Sequence, residues 1–598
     1  MFKKILYLLS PHEKRRGVVV LLMVIIMALL ETVGVASVMP FLSVLGNPEA
    51  VKTHALLASI YDGLGFESVD QFLMALGAAA FALIVFSALF RALTIYAMTR
   101  WAMMRVHSFG QCLLETYLRQ PYAYFLDHHS GDLSKTILSE AGEVVYQAVK
   151  PALEVISHAF VVLALIILLV IVDPLLALAV ASTVGGTYAI IYLVIRGFLN
   201  RIGRDRVLAN KQRFEAAGEA LGGIKDIKMI GCEHSYLQRF SGPSARFAKH
   251  KATSQFLSEV PKSIIEAVAV GGIILLTVLL MAAHGGATTG ALGEVLPILG
   301  LYGFAGQRML SAAQKVYQRL AKLRFGAAAV DNIYNDLVHR QDLVEVRKFA
   351  PEPLRLQYGI RLEAVTYTYP NAAHPALQGV NLEIPEGTTV GLVGSTGAGK
   401  TTLVDVLLGL LRPSAGAIVI DGEPVTDTNL RAYQQALGYV PQYIFLTDST
   451  VAENIALGVP PQQIDHEQVV RCARMAQVND FIMQELPEQY ATVVGERGVR
   501  LSGGQRQRIG IARALYHEPD ILVFDEATSA LDTLTERAVM EAIEALHHQK
   551  TVILIAHRLS TVRDCDQVVL LERGRITAVG RFEELRAQSE RFRAMAQD

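Results

Sequence analysis

Three stretches of the chain carry residue types whose spacing suits phosphate chemistry. Gly394-Ser395-Thr396-Gly397-Ala398-Gly399-Lys400-Thr401 has the spacing G-x-x-x-x-G-K-[ST]. Its glycines would let successive backbone N–H groups wrap an anion. Lys400 would neutralise the β/γ oxygens of a nucleotide, and Thr401 would offer its hydroxyl to Mg²⁺. Thr402 opens the helical pattern that follows, whose N-terminal end is itself attractive to anions. The second stretch is Ile521-Leu522-Val523-Phe524-Asp525-Glu526. Four apolar residues predict a buried strand from whose end two acids emerge. Asp525 would hold Mg²⁺ directly or through water, and Glu526 would polarise an attacking water. The third is Leu501-Ser502-Gly503-Gly504-Gln505, just before the helical pattern 506–515. Ser502 and the amides of Gly503 and Gly504 would make another anion site at a helix start. The chain thus has two phosphate-binding surfaces but a single nucleotide loop.

These residues need rigid elements to position them. The phosphate loop sits between the apolar run 389–393, which predicts a buried strand, and the helical run 402–408. From about Pro351-Glu352-Pro353 onward, short strand-like runs alternate with helical ones, predicting an α/β domain over 355–598. Residues 341–354 read as a linker. Residues 1–340 differ in texture. Residues 17–45 carry one charge, Glu31, and 71–90, 155–172, 174–195 and 267–283 carry none. A weaker sixth run, 287–307, contains Glu294 and Pro297 and closes at Arg308. About 20 apolar residues cross a bilayer, so six membrane-spanning helices are expected. Lys and Arg number five in 1–16, five in 100–150 and thirteen in 196–262. The connections between them hold Lys52 or none, so both termini are expected in the cytoplasm. Phe2–Leu9 reads as a short helix in the membrane interface.

The 598 residues are 52% hydrophobic and 19% charged, with 55 Lys+Arg against 56 Asp+Glu. That excludes a disordered chain and argues against a nucleic-acid partner held by bulk charge. The balance is a sum of unlike parts: 33 basic and 25 acidic residues in 1–350, 22 and 31 in 351–598. The four cysteines all fall on the expected cytoplasmic side and are expected to be free thiols.

In their order and spacing, the phosphate loop, Asp525-Glu526 and the 501–505 stretch resemble the nucleotide-binding domain of ABC transporters, over about 355–598. Other positions match that family one by one. Tyr369, in Thr366-Tyr367-Thr368-Tyr369-Pro370, resembles the aromatic that stacks on adenine. Gln442, after Tyr439-Val440-Pro441, resembles the glutamine that senses Mg²⁺ and faces the membrane domain. Ser529-Ala530-Leu531-Asp532 resembles the loop crossing the dimer interface, and His557 resembles the switch histidine at the γ-phosphate. Gly495-Glu496-Arg497-Gly498 resembles an exporter-specific loop, with Val493 where an acid is usual. The resemblance implies ATP and Mg²⁺, a homodimer that sandwiches each ATP between the phosphate loop of one subunit and the 501–505 stretch of the other, and metal-assisted phosphoryl transfer to water. Six spans followed by one such domain resemble an exporter half-transporter. Phe125–Leu133 and Gly222–Lys228 resemble its coupling segments.

The transported substrate is expected to be read by charges left in apolar helices. Arg91, Arg308 and Lys315 would line a basic cavity suited to phosphate or pyrophosphate; Arg308 and Lys315, seven apart, share a helix face. The other reading is that all three snorkel to the cytoplasmic interface. Glu31, beside Thr32, reads as an interhelical hydrogen-bond partner rather than a proton carrier. Residues 31–41, 90–93 and 302–308 resemble the bacterial flippases of lipid-linked oligosaccharides in protein glycosylation. Ala55–Tyr61, as in those flippases, would be a short outer-surface helix meeting a polyprenyl tail, or a packed loop helix. The resemblance implies ATP-driven flipping of a lipid-linked glycan across the bacterial cytoplasmic membrane. Alternatives are export of another lipid, a lipopolysaccharide precursor, a peptide or a drug; another class is an ATP-gated channel or membrane-bound regulator.

Overall fold

The computed structural model describes residues 1–46, 51, 55–66, 68–172, 174–283, 289–338, 354–370, 372–495, 498–526, 537, 540–541, 543–544, 549–556 and 558–596; side chains at 39, 42–43, 46, 55–56, 130, 172, 175–176, 179–180, 268–270 and 272–305 lie outside the description. His557, Asp532 with the rest of its loop, Glu496, Arg497 and nearly all of the expected linker therefore lie outside the described residues. The chain divides into two compact units. One is Met1–Gln120 with Phe125–Leu343; the other is Pro121–Tyr124 with Val344–Asp598.

The first unit is helical. After a short helix, Phe2–Leu8, come six long ones: α1 (Pro11–Ala36), α2 (Val69–Leu118), α3 (Lys150–Val172), α4 (Pro174–Gly222), α5 (Glu233–Ala283) and α6 (Thr289–Val338). α2, α4, α5 and α6 have 49–51 residues. At 1.5 Å per residue that is roughly 75 Å, more than twice the hydrocarbon thickness. Local chemistry sets several ends. Ser10 caps α1 in a reciprocal capping box with Glu13, and Pro11 fills a position that needs no N–H donor. Gly231, at φ 72°, stops the short helix Ile224–Ile230 in the left-handed region. Four stretches among the described residues are long and apolar enough to span a bilayer: Pro11–Ala36, Val69–Leu118, Gly131–Ile171 and Ala181–Gly222. The expected fifth and sixth spans, 267–283 and 287–307, fall in α5 and α6, and nearly all the side chains of those two stretches lie outside the description.

The second unit is α/β. One sheet is antiparallel, in the order β2-β1-β4-β5, with β1 Gly359–Tyr367, β2 Leu377–Pro385, β4 Ala415–Ile420 and β5 Glu423–Pro424. The other runs β10-β9-β3-β8-β7-β6, with β3 Thr389–Val393, β6 Leu437–Val440, β7 Ile521–Asp525, β8 Thr551–Ile555, β9 Gln567–Glu572 and β10 Arg575–Gly580. Within it β9, β3, β8, β7 and β6 are parallel, and β10 is an antiparallel edge. Parallel strands are covered on both faces, which is why they read as unbroken apolar runs. Alternate residues serve two cores. Val390, Leu392, Ile521, Val523, Ile553 and Ile555 face one; Val393, Leu522, Phe524, Val552 and Leu554 face the other. Ala123, from the segment Pro121–Tyr124, also packs on the first of these.

None of the four cysteines is in a disulfide. Burial pushes the Cys472 thiol up to about 11. Burial, then the charges of Asp566 and Asp564, push Cys565 up to about 12. A thiol at 11 is about one part in a thousand thiolate at pH 8. Brief alkylation of the folded protein at pH 8 should therefore mark Cys112 and Cys232 and spare Cys472 and Cys565, as read by peptide mass spectrometry. Equal labelling of Cys472 would show that its pocket opens readily.

Candidate functional site

The register of the parallel sheet decides what meets at its carboxyl edge. Leu392 pairs with Ile555, Asp525 with Ile555 and Val440 with Phe524. The segments leaving β3, β7 and β6 thus start side by side: the phosphate loop, Glu526 and Gln442. In open parallel sheets this carboxyl edge is where ligands bind. β8, which precedes His557, lies between β3 and β7.

The phosphate loop turns through Gly397 at φ 78° and Gly399 at φ 103°. A Cβ on Gly399 would come within 2.9 Å of the Ala376 carbonyl oxygen, so the turn needs glycine there. Helix α7, Lys400–Leu407, begins directly after it. Lys400 Nζ donates to the Gly394 oxygen at 2.6 Å and to the Ser395 oxygen at 3.3 Å. The lysine therefore folds over the loop it serves. Burial lowers its pKa, while Glu526 and Asp525 pull the other way. The Tyr369 and Thr402 hydroxyls are 3.0 Å apart, and the Tyr369 ring stands edge-on to Tyr367 with centroids 5.0 Å apart.

Opposite stand the acids. Asp525 is buried and accepts from the Tyr439 hydroxyl at 3.3 Å. Gln442 Nε2 donates to a Glu526 carboxylate oxygen at 2.5 Å. Glu526 has φ 49°, a conformation that a non-glycine residue holds only when its surroundings impose it. Its N–H donates to Ile555 O at 3.2 Å, which ties the turn to β8. Two neighbours were not singled out from the sequence. Tyr439 is one; in β6 it faces the strand that carries Asp525. Asp405 is the other: burial, then the charge of Asp525, push it up to about 6. Its place in an apolar helical run, in the second turn of α7, was the available signal.

Ser502 caps helix α8, Gly503–Leu515, in a capping box with Gln505. Its side chain accepts from Gln505 N at 3.2 Å, and its own N–H donates to Gln505 Oε1 at 2.7 Å. Near the far end of α8, Arg513 donates to the Phe445 carbonyl at 2.7 Å, the Asn454 carbonyl at 2.8 Å and Asn454 Oδ1 at 3.2 Å. α8 is thereby laced to the chain that follows Gln442. Burial holds Arg513 down to about 10.

In the helical unit, Glu31 of α1 meets two arginines. Arg91 Nη1 of α2 lies 3.2 Å from its Oε1, and Arg308 Nη1 of α6 lies 3.7 Å from the same oxygen. The gap among these three is about 30 Å³, on the order of one or two waters. Lys315 is exposed on α6.

Residues 377–529 match the ABC transporter family and residues 17–292 the ABC transporter transmembrane region. An ATP-dependent lipid A-core flippase of Chromobacterium violaceum is 33% identical over 498 residues, 81% of either chain. The chain belongs to the ABC transporter family. A second relative, ABC transporter B family member 29, chloroplastic, of Arabidopsis thaliana, is 32% identical over 76% of this chain and 70% of that one. A solved bacterial Atm1-family ABC exporter with ATP bound superposes with a TM-score of 0.76 at 25% identity, covering 97% of each chain. The chain is an ABC exporter half-transporter: a helical transmembrane domain followed by an α/β domain that hydrolyses ATP to drive transport.

Replacing Arg513 by Ala would leave the carbonyls of Phe445 and Asn454 without their charged donor. The expected loss is about 2–3 kcal/mol of stability of the ATPase domain, measurable by denaturant unfolding. A loss under about 0.5 kcal/mol would mean that these bonds exchange freely with water.

Proposed function

We propose that two copies of this chain form a homodimer that flips a lipid-linked, pyrophosphate-borne oligosaccharide toward the outer face of a bacterial cytoplasmic membrane. Residues 1–340 form the membrane domain, 341–354 the linker and 355–598 the ATPase domain, with both termini cytoplasmic. The observation that carries the substrate class is the pair of arginines, on two apolar helices, converging on one carboxylate, Glu31. Such charges are costly in a membrane, and where they persist they are paired and mark substrate or ion pathways. Two cationic side chains brought together on apolar helices suit an anionic headgroup. The flippase named among the relatives also handles a lipid.

Lys400 and the amides of Gly394–Thr402 bind the phosphates of ATP, and Tyr369 supports the adenine. The oxygens of Thr401, Asp525 and Gln442 form an all-oxygen set, which suits Mg²⁺. Mg²⁺, when bound, offsets the charge on the β- and γ-oxygens. Gln442 holds Glu526 through the 2.5 Å bond. Glu526 orients the attacking water and draws its proton, and His557 contacts the γ-phosphate. Ser502, Gly503, Gly504, Gln505 and Asp532 close the site from the partner. Transfer to water then rests on position and charge more than on covalent help.

Two variants test this. Glu526→Gln should cut ATP turnover at least about a hundredfold while ATP binding persists; normal turnover would remove Glu526 from its role. In vesicles, Arg91→Ala and Arg308→Ala should each abolish glycolipid translocation, and unchanged flipping in both would sink the arginine site. A lipid A-type cargo is the second reading, supported by the 30–33% identity to several lipid A-core flippases. Comparing ATPase stimulation by a polyprenyl pyrophosphate glycan and by lipid A separates the two.

A further inference from the structure

Arg308 and Lys315 begin a longer pattern on α6. Arg319 and Lys322 continue it at spacings of four and three. At 100° per residue the four fall within about 60° of arc and span about 21 Å. The far end of this basic face opens into a cavity of about 450 Å³, well within the size range of ligand sites. Lys150 and Lys251 complete its cationic wall, with Glu143 and Glu154 as the acids.

The acids are already engaged. Glu143 pairs with Lys251 at 2.5 Å and Glu154 with Arg319 at 2.6 Å. Lys150 and Lys322 have no carboxylate within ion-pair distance among the described residues. Burial, then the nearby charge of Arg319, hold the Lys322 ammonium below its ordinary range; Lys150 adds to the repulsion, while Glu154 and Glu259 oppose it. The frame around these lysines is stiff. A Cβ on Gly326 would meet Gln147 Cβ at 2.6 Å, so the two helices touch nearly backbone to backbone beside the cavity. A π turn, Val145–Val149, leads directly into Lys150; such turns are frequent at functional sites. Lys150 lies five residues before the uncharged run 155–172, so the cavity sits just outside the apolar stretches.

We propose that this cavity is a second anion site, in which Lys150 and Lys322 hold the phosphate or pyrophosphate of the transported lipid's headgroup at the end of the basic face. The lipid headgroup follows from the flippase reading above; the phosphate chemistry stands on the cavity.

The test uses the full-length protein in nanodiscs with its nucleotide sites saturated by ADP. The stabilising thermal shift is titrated with polyprenyl pyrophosphate, with polyprenol and with inorganic pyrophosphate. Lys150→Gln/Lys322→Gln should raise the half-saturating concentration of polyprenyl pyrophosphate at least about tenfold, with no change for polyprenol. Lys150→Arg/Lys322→Arg should restore binding. Without ligand the glutamine variant should melt no lower than the parent, because two like charges have been removed. Unchanged polyprenyl pyrophosphate affinity in the glutamine variant overturns the site. Lysine-dependent binding of inorganic pyrophosphate alone keeps the phosphate site and overturns the headgroup assignment. Lysine-dependent lipid binding with no lipid movement in vesicles keeps the site and overturns the flippase reading.

Discussion

A charge withdrawn from water must be met by another charge or by oriented dipoles, and both units are organised around that requirement. Lys400 is buried, and the carbonyls of Gly394 and Ser395 take its hydrogens. Asp525 is buried and receives the Tyr439 hydroxyl. Glu31, among apolar helices, gathers Arg91 and Arg308. Removing one member of any such set would strand the others, at a cost well above that of a surface pair. These groups are therefore kept in position before any ligand arrives, which makes binding and catalysis less expensive in reorganisation.

The parallel sheet turns that requirement into a site. Its strands are covered on both faces, so polar residues can emerge only where strands end. One edge collects the turns after β3, β6 and β7, and the register places Asp525 beside the end of β8. The left-handed turn at Glu526 brings its carboxylate to Gln442. Arg513 then ties α8 to the segment beyond Gln442 through three backbone and side-chain bonds.

The helical unit uses length where the ATPase domain uses register. Helices of about fifty residues carry residues from the apolar core out past it without a break. A single face of α6 can thus present Arg308 among apolar helices and Lys322 about 21 Å further along. The same continuity lets Gly326 bring α6 against Gln147 and so shape one wall of the cavity.

Much of this was legible in the residues themselves. Local motifs name the phosphate loop, the paired acids and the cap at Ser502, because each works through backbone geometry set within a few residues. Apolar runs reveal the buried strands and several membrane-length helices, because burial on all sides leaves no polar face. Cysteines without disulfides and the shared face of Arg308 and Lys315 also follow from composition and period. Other features depend on atoms far apart in sequence. No spacing pairs Tyr439 with Asp525, Arg513 with Asn454, or Lys150 with Lys322. Sequence alone leaves Arg91, Arg308 and Lys315 either lining a basic cavity or snorkelling to the interface. Folding set Glu31 between the two arginines, sixty residues from the nearer one, and left only a water-sized gap. The sequence determines which groups the chain owns and which local turns they can make. Only the tertiary structure decides which charges neutralise one another, because Coulomb energy depends on separation and on exclusion of water, and neither quantity is written in the order of residues.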